Sequence, residues 1–419
     1  MKILWFSHIV PYPPKGGALQ RNFNLIAQLA SEHRVWLLTF NQRALIPSAP
    51  ALDAAIAGLK PYCEQVSILP LPGDHSAPAK ASLIVKSAFT SAPYAVNWSR
   101  SAAMERLFRE TVQSFRPDLI HYDAIGLAHY HHRSIPACQV LNHQNIESAM
   151  MLRRSEQEPN LLKKLYFRGE AEKIRRYERL HCPRFDLNVT VSDVDTATLE
   201  ATVPGVKAEV IPNGVDISYF TPGPAGEEEE GSLVFAGGMG WYPNRDAMLY
   251  FADQLWPMLK RSEPNVRMTV VGRRPPARLV ELSRRDPRFS VPGYVDDVRP
   301  YLKRASVYVC PIRDGGGTRL KLLDAMAMGK PIVATSIAIE GTDSVPGRHV
   351  LVGDRPEEFV SRVVTALRDP ALRRTLSRQA RSLVEEEYDW THIGKKINGL
   401  YGRLAASPRP AAPERHEAR

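Results

Sequence analysis

Three consecutive glycines late in the chain form the segment best suited to binding chemistry. They follow the apolar run Val307–Cys310, a predicted strand, and precede a segment of helical period. Successive amide hydrogens at a helix N-terminus, with cations close by, favour a phosphate or a diphosphate. The segment has no Gly-Lys-Ser/Thr sequence and is therefore not a Walker A loop. The candidate phosphate-binding residues are Gly315, Gly316, Gly317, Thr318, Arg319 and Lys321.

Asp324 lies two turns into the helix predicted after these glycines. At that position a carboxylate can accept hydrogen bonds from ribose hydroxyls, as acidic residues do in dinucleotide-binding folds. The alternative interpretation pairs Asp324 with Lys321 on the helix surface. A surface pair of these two residues does not account for the three glycines that precede the helix.

A second glycine pair follows the first predicted strand, Lys2–Phe6. Gly16 and Gly17 end the segment Pro11–Gly17 and precede a helical pattern. Paired glycines at a strand-to-helix turn let backbone N–H groups approach a phosphate. The alternative is an ordinary proline- and glycine-containing turn.

Polar residues also follow two other predicted strands. His121 and Asp123 end the strand Leu119–Tyr122, where a histidine can relay a proton and a carboxylate can act as a base or accept a substrate hydrogen bond. A structural histidine is the alternative for His121. Asn145 and Glu147 follow the next strand and serve either acceptor recognition or helix capping.

The sequence predicts no metal site. The four cysteines, Cys63, Cys138, Cys182 and Cys310, form no CxxC pair. A D-x-D triplet suitable for chelation begins at Asp193, but it immediately precedes a helical pattern, which favours Ser192 as the helix N-cap and Asp193 as a first-turn acid.

The elements that position these residues follow an α/β pattern. Short buried runs of Val, Ile and Leu alternate with helical segments, which is typical of parallel sheets with helical connections. The acidic, Pro- and Gly-containing stretch 221–231 predicts an exposed loop. We expect an N-terminal domain over 1–205, a second domain over 206–387, a C-terminal helix at about 388–405 that packs on the first domain, and a disordered tail over 406–419.

Composition narrows the class of partner. The 419-residue chain has a formal net charge of +10, which favours nucleotide phosphates, nucleic acid or an anionic membrane surface. The positive charge is spread over both halves, which argues against nucleic acid. The basic segment Lys163–Arg184 either lies on an anionic leaflet or is a structural helix with a solvated face. No 18-residue apolar run or signal sequence is apparent, so we expect a cytoplasmic protein.

The order of the motifs resembles the large retaining glycosyltransferase family with the GT-B fold, the glycosyltransferase family 4-like enzymes of bacterial polysaccharide and glycolipid synthesis. The resemblance covers almost the whole chain. The segments that carry it are Pro13–Gly17, His121, Val191–Asp193, Ile211–Asp216, Phe235–Met239, Val271–Gly272, Gly293–Val295 and the block from Gly315 to Ala327.

The resemblance implies two Rossmann-like domains that face each other across a cleft, with a C-terminal helix crossing back to the first. It implies no bound metal. Gly16 and Gly17 approach the donor phosphate, Gly237 and Gly238 border the diphosphate, and Gly293, Tyr294 and Val295 contact the base. The diphosphate is held by Thr318, Arg319 and Lys321, and the ribose by Asp324.

Three positions depart from the family pattern. Asp324 replaces the second Glu of Glu-x7-Glu and Gly316 the first, which makes Asp314 a candidate substitute. The usual H-x-H strand end is His121-Tyr122-Asp123, so either His121 or Asp123 faces the transferred sugar. Arg245 is the candidate for a basic residue missing after Gly238.

The expected activity is transfer of a hexose from a nucleotide-diphosphate sugar to a hydroxyl of a glycan or lipid-linked acceptor, with retention at the anomeric carbon. The implied catalytic residues are His121, Asp123, Arg319 and Lys321. We expect no cofactor other than the donor substrate, no nucleic-acid partner, and peripheral contact with the cytoplasmic face of the inner membrane. The alternatives are a nucleotide-sugar epimerase of the same fold or a non-catalytic binder of nucleotide sugars or nucleic acid.

Overall fold

Two parallel sheets, one in each half of the chain, carry the fold. In the computed structural model, residues 1–72, 74, 77–224 and 226–406 are described. The chain divides into a unit made of Met1–Ile211 with the residues from Gly394 onward, and a second unit, Pro212–Ile393. We call these unit 1 and unit 2. Of the predicted tail, Ala406 is the last residue of the final helix, and 407–419 lie outside the described residues.

The sheet of unit 1 has seven parallel strands in the order β3-β2-β1-β4-β5-β6-β7. The strands are β1 (Lys2–Ser7), β2 (Arg34–Asn41), β3 (Gln65–Pro70), β4 (Leu119–Tyr122), β5 (Cys138–Asn142), β6 (Leu187–Thr190) and β7 (Ala208–Val210). Residues 3–6 of β1 are fully buried because helices cover both faces of such a sheet.

Eight helices of unit 1 connect these strands within the described ranges. They are α1 (Gly17–Ala30), α2 (Ala49–Leu59), α3 (Ala77–Ala88), α4 (Tyr94–Ser99), α5 (Ala102–Phe115), α6 (Glu147–Gln157), α7 (Leu161–His181) and α8 (Asp193–Thr202). Two 3-10 turns, Ile125–Tyr130 and Cys182–Arg184, complete the connections.

The sheet of unit 2 has six parallel strands in the order β10-β9-β8-β11-β12-β13. The strands are β8 (Glu229–Ala236), β9 (Arg267–Val271), β10 (Phe289–Gly293), β11 (Ala305–Cys310), β12 (Ile332–Ala334) and β13 (Leu351–Val352). The predicted loop at 221–231 is therefore too long. Glu229 is already in β8, because its backbone pairs with Ala305 while its side chain stays exposed.

The helices of unit 2 cover its sheet, and a π-helical segment, Phe251–Leu255, joins the first two. They are α9 (Tyr242–Tyr250), α10 (Trp256–Ser262), α11 (Ala277–Arg285), α12 (Arg299–Arg304), α13 (Leu320–Ala327), α14 (Ser336–Ile339), α15 (Pro356–Arg368) and α16 (Pro370–Glu387). The last helix, α17 (Trp390–Ala406), belongs to unit 1 from Gly394 onward. Within the described ranges, none of the helices combines the length and apolar character that a bilayer span requires.

Each sheet has a topological switch point, where the strand order reverses. It lies between β1 and β4 in unit 1 and between β8 and β11 in unit 2. Ligands of open parallel sheets bind beyond the carboxyl ends of the strands at such a point. Most of the predicted site residues lie at the ends of these four strands or after them, so the topology places them where each unit can bind a ligand. Gly293, Tyr294 and Val295 lie at the end of β10, two strands away from β8.

The D-x-D triplet is part of a helix start, as the sequence predicts. Ser192 is the N-cap of α8, and its hydroxyl accepts a hydrogen bond from the backbone N–H of Asp195 at 3.1 Å. Asp193 and Asp195 lie in the first turn, where acids favour the positive end of the helix.

We expect Ser192→Ala to lower the free energy of unfolding by about 1 kcal/mol, because an N–H of α8 loses its acceptor. Ser192→Thr retains the hydroxyl and should remain close to the wild type. Urea unfolding followed by circular dichroism measures both. Equal stability of the alanine variant and the wild type would contradict the capping role.

Candidate functional site

The loops after β8, β9 and β10 are hydrogen-bonded to one another at the carboxyl edge of the unit 2 sheet. The N–H of Gly237 donates to Val271 O at 2.8 Å, and the N–H of Gly272 donates to Gly293 O at 2.9 Å. A Cβ on Gly272 would overlap the carbonyl oxygen of Gly237. Glycine is required there because two backbone segments approach closely. Gly237, Gly238 and Gly293 therefore belong to one layer of loops.

The glycine-rich loop, residues 314–318, follows β11 at the same edge. The Asp314 carboxylate accepts a hydrogen bond from the N–H of Gly315 at 2.6 Å. Gly315 and Gly317 have φ angles of +116° and +66°, which side-chain-bearing residues rarely adopt. Thr318 donates from its hydroxyl to Gly341 O at 3.0 Å. The loop is thus held in one shape by local hydrogen bonds.

Arg319 also stabilises this loop. Its guanidinium donates to the carbonyl oxygens of Gly316 and Gly317. The side chain is buried, and its Nη2 would lie 3.1 Å from a Cβ on Gly315. In this structure Arg319 therefore holds the carbonyl side of the loop, and its predicted contact with a diphosphate stays a prediction.

Lys321 connects the glycine-rich loop to the glycines after β8. Its Nζ donates to Oδ1 of Asn244 at 2.5 Å, and Nδ2 of Asn244 donates to Gly238 O at 2.9 Å. A Cβ on Gly237 would lie 3.2 Å from Cε of Lys321. Lys321, Asn244 and the Gly237–Gly238 backbone form one contact set, which we call the lysine bridge.

The charged form of Lys321 is destabilised in the lysine bridge. Burial lowers the pKa of Lys321 to about 8. The nearby Cys310 and Asp324 raise it, and Arg319 lowers it further. Loss of hydration is responsible, because a charged group is less stable away from water. An anion bound beside this ammonium would restore the missing stabilisation.

Asn244 is the site residue of unit 2 that sequence reasoning missed. The sequence favours Arg245 instead, because a basic residue is expected after Gly238. In the structure, Arg245 is exposed, and its guanidinium lies 5.6 Å from the centre of the Tyr242 ring. Asn244 carries no charge and matches no phosphate-binding motif. Its position in the first turn of α9, directly after the glycine loop, is the available signal.

Tyr294 and Val295 follow β10 and differ in exposure. Tyr294 is half exposed, its hydroxyl donates to Asp296 at 3.1 Å, and the Arg273 guanidinium lies 5.7 Å from its ring centre. Val295 packs partly against the core. The strand end thus presents one aromatic ring and the backbone around Gly293.

Asp123 is the centre of a buried polar cluster in unit 1. Its carboxylate is 0% exposed and lies 3.4 Å from Nδ1 of His8. The donors to its oxygens are Ser7 Oγ at 3.0 Å, Asn22 Nδ2 at 2.5 Å, Asn142 Nδ2 at 3.3 Å and Gln144 Nε2 at 3.0 Å. Burial acts to raise the pKa of Asp123, but His8, Asn22 and the other partners lower it below the ordinary value. The group is therefore an ionised carboxylate.

His121 lies elsewhere in the packing of unit 1. Its ring is fully buried, stacks on Trp5 with 3.6 Å between ring centres, and has Nδ1 2.6 Å from the Tyr401 hydroxyl of α17. Burial lowers the pKa of His121 to about 3, so the ring is neutral at physiological pH. The structure brings Asp123 together with a polar cluster and His121 together with aromatic packing.

The proline-glycine loop, residues 11–17, is positioned by Tyr12. The Tyr12 ring fills the space beside Gly58 of α2, where a Cβ would collide with it, and its centre lies 5.8 Å from that of Phe23. At Gly16 and Gly17, no described atom other than their chain neighbours lies within 4 Å of an added Cβ. The backbone at the start of α1 is therefore accessible to a ligand.

In the described part of the chain, there is no group of three or more His, Cys, Asp or Glu residues that could hold a metal ion. The candidate sites consist instead of the backbone of glycine-containing loops, a partly buried ammonium and a buried carboxylate. Such groups suit a phosphate-bearing ligand and a polyhydroxyl ligand.

Two family models match the chain. Residues 15–219 match "Glycosyltransferase Family 4", and residues 230–369 match "Glycosyl transferases group 1". Among curated proteins, the phosphatidyl-myo-inositol mannosyltransferase of Mycolicibacterium smegmatis is 29% identical over 213 residues, which are 48% of this chain and 54% of that protein. The chain thus matches about half the length of this relative.

Solved structures agree on the fold. Sucrose-phosphate synthase from Thermosynechococcus elongatus superposes with a TM-score of 0.71 at 17% identity, covering 97% of this chain and 100% of that one. HepE from Anabaena, solved in complex with UDP, superposes with a TM-score of 0.65 at 15% identity, covering 96% and 100%. Two parallel α/β units, these neighbours and both family models lead to one conclusion: the chain belongs to the family 4-like glycosyltransferases with the GT-B fold.

Proposed function

We propose that this protein transfers a hexosyl group from a nucleotide-diphosphate sugar to a hydroxyl of a glycan or lipid-linked acceptor, with retention at the anomeric carbon. The observation that carries the proposal is the lysine bridge, which places a partly buried ammonium against the Gly237–Gly238 backbone at the switch point of unit 2. A diphosphate suits this location because the ammonium can donate a charge-assisted hydrogen bond to it.

The same groups supply the chemistry that a departing diphosphate needs. Negative charge grows on the leaving phosphate as the glycosyl bond breaks, and a fixed cation stabilises that charge. Lys321 and the glycine amides provide positive potential without a metal ion, so we propose metal-independent transfer. The phosphate oxygen that leaves then accepts the proton of the incoming hydroxyl on the same face of the sugar, which accounts for retention.

Asp324 and the β10 end complete the proposed donor site. Asp324 lies on α13 close enough to Lys321 to influence its pKa. We infer that this carboxylate accepts hydrogen bonds from the ribose, while the backbone of Gly293–Val295 contacts the base. The complex of HepE with UDP supports a nucleotide donor for this fold.

A panel of UDP-, GDP- and ADP-sugars tests the activity. We expect one donor to release its nucleoside diphosphate, with release faster in the presence of an acceptor glycan extract and unaffected by EDTA. Proton NMR of the product should show the anomeric configuration of the donor. A changed sugar still attached to its nucleotide would identify an epimerase, and binding without turnover of any donor would contradict transfer.

The pKa of Lys321 gives the donor site a defined pH dependence. The ammonium form is lost as pH rises through about 8, whereas the diphosphate diester keeps its charge. Donor affinity should therefore fall above pH 8. Lys321→Met should weaken donor binding about 10- to 100-fold near neutral pH, since a charge-assisted bond is worth about 1.5–3 kcal/mol. It should also remove the pH dependence.

Isothermal titration with the active nucleotide sugar at several pH values measures both effects. Arg284→Met, which removes an exposed cation from α11, is the matched control and should retain the wild-type profile. A Lys321→Met variant with wild-type affinity across the range would refute the phosphate assignment.

We also propose that unit 1 contacts an anionic membrane surface on the cytoplasmic side, where a lipid-linked acceptor would be found. The contact surface consists of the end of α3 and the start of α7, and we call it the α3–α7 surface. Its exposed apolar side chains, with their exposed fractions, are Ile84 (43%), Val85 (58%), Phe89 (88%), Leu161 (68%), Leu162 (78%) and Leu165 (58%).

The positive charge of the α3–α7 surface favours anionic lipids. Neither α3 nor residues 161–169 contain an acidic residue, whereas Lys86, Lys163 and Arg168 are exposed among the apolar side chains. The two elements are joined where Lys173 donates to Ser87 O at 2.7 Å and to Ala88 O at 3.3 Å. Leucines that insert at the headgroup boundary, with cations beside them, match an anionic leaflet.

Vesicle sedimentation tests the α3–α7 surface. The protein should pellet with vesicles of phosphatidylcholine containing phosphatidylglycerol, and less so in high salt. Lys163→Glu with Lys164→Glu should weaken partitioning at least about tenfold, because each cation contributes about 1 kcal/mol. Leu162→Gln with Leu165→Gln should also weaken it. Val345→Gln, at an exposed apolar residue of unit 2, is the control. Wild-type partitioning of both double variants would reject this surface.

A further inference from the structure

His8 is the partly exposed member of the polar cluster around Asp123. It follows β1 directly, and its side chain is 24% exposed. Ser7, Asn22, Asp123 and Asn142 of the same cluster are completely buried. A ligand at the carboxyl edge of this sheet can therefore reach His8, whereas Asp123 is enclosed by its partners.

The orientation of the His8 ring is defined on one side. Nδ1 is buried and lies 3.4 Å from Oδ2 of Asp123. The backbone at His8 is fixed because its carbonyl oxygen accepts a hydrogen bond from Nε2 of Gln42 at 3.0 Å. Nδ1 makes no hydrogen bond with Asp123 in this structure, but because it is buried beside the carboxylate, the exposed part of the ring is the side that carries Nε2.

A second carboxylate, Glu147, lies within electrostatic range of His8. Glu147 begins α6, and burial raises its pKa while the charge of His8 lowers it. The titratable groups that face His8 are thus Asp123, from the end of β4, and Glu147, from the segment after β5. His8 is thus a histidine at the edge of a sheet with one nitrogen buried beside a carboxylate and the other on the exposed side of the ring.

We propose that His8 hydrogen-bonds a sugar hydroxyl of the substrate and that Asp123 is a positioning residue that acts through it. The inference rests on the proposed glycosyl transfer and assigns the sugar contact in unit 1. An imidazole that directs Nδ1–H at a carboxylate presents Nε2 as an acceptor to a hydroxyl, and a protonated ring presents a donor. Either form binds a hydroxyl.

His121 provides the matched comparison. Both histidines belong to unit 1 and lie on adjacent strands or their ends, but His121 is fully buried and engaged with Trp5 and Tyr401. If a histidine contacts substrate, its removal should leave an accessible space that free imidazole can occupy. Removal of a buried packing histidine should instead lower stability.

The test compares His8→Ala, His121→Ala and Asp123→Asn with the donor found to be active. His8→Ala should lower kcat/KM about 10- to 100-fold, the loss expected for one hydrogen bond to a reacting substrate. Added imidazole should restore activity severalfold without changing the melting temperature. His121→Ala should lower the melting temperature and show no such recovery.

Measuring both donor hydrolysis and transfer identifies which sugar is contacted. Loss of both reactions assigns the transferred sugar, and loss of transfer alone assigns the acceptor sugar. Asp123→Asn should add little to the defect of His8→Ala, because a positioning residue has no further effect once its partner is absent.

Wild-type kinetics in His8→Ala, or a loss that imidazole does not reverse and that follows a lower melting temperature, would overturn the inference while the proposed function stands. A wild-type protein that turns over no sugar nucleotide would overturn the proposed function and this inference with it. Chemical-shift changes of the His8 ring nitrogens on addition of the donor provide a readout that does not depend on turnover.

Discussion

The lysine bridge is the interaction on which the unit 2 site depends. Removing an ammonium from water is unfavourable, and the single 2.5 Å hydrogen bond to Asn244 compensates only in part, as the lowered pKa of Lys321 indicates. The surrounding structure keeps the side chain there nevertheless. A Cβ on Gly237 would lie 2.9 Å from Asn244 and 3.2 Å from Lys321, so only glycine leaves room for the bridge. Because the ammonium of Lys321 is only partly stabilised, a bound anion would stabilise it further.

Arg319 and Asp314 stabilise the shape of the glycine-rich loop. The carboxylate of Asp314 accepts the N–H of Gly315, and the guanidinium of Arg319 donates to the carbonyl oxygens of Gly316 and Gly317. The loop is therefore organised before any donor arrives. Preorganised dipoles need no rearrangement when charge develops, and this reduces the free energy of reaching the transition state.

The sequence was sufficient to predict the architecture because buried parallel strands are continuous apolar runs. Residues 3–6 of β1 and the whole of β11 are buried on both faces, so their positions were predictable. β7 and β10 are harder to recognise in the sequence, for identifiable reasons. The first has only three residues, and the second contains Ser290 and Pro292 among its apolar residues at one edge of the sheet.

Side-chain environments were less predictable than strands, because they depend on residues distant in sequence. His121 and Asp123 are two residues apart, yet one stacks on Trp5 and the other collects donors from β1, α1 and β5. Nothing in the local sequence distinguishes them. Asn244 and His8 were overlooked for a related reason. Each lies beside a recognisable loop but matches no motif, and its importance follows only from the long-range partners Lys321 and Asp123.

The switch points of the two units carry different charged groups. Unit 2 holds a cation at its switch point, beside the backbone of Gly237 and Gly238. Unit 1 holds an ionised carboxylate surrounded by neutral donors, with a histidine at its exposed margin. Asp123 would repel a phosphate, but through His8 it can orient a group that binds hydroxyls. In the proposed arrangement, the negative charge of Asp123 disfavours an anionic ligand and favours a neutral ligand that carries hydroxyl groups.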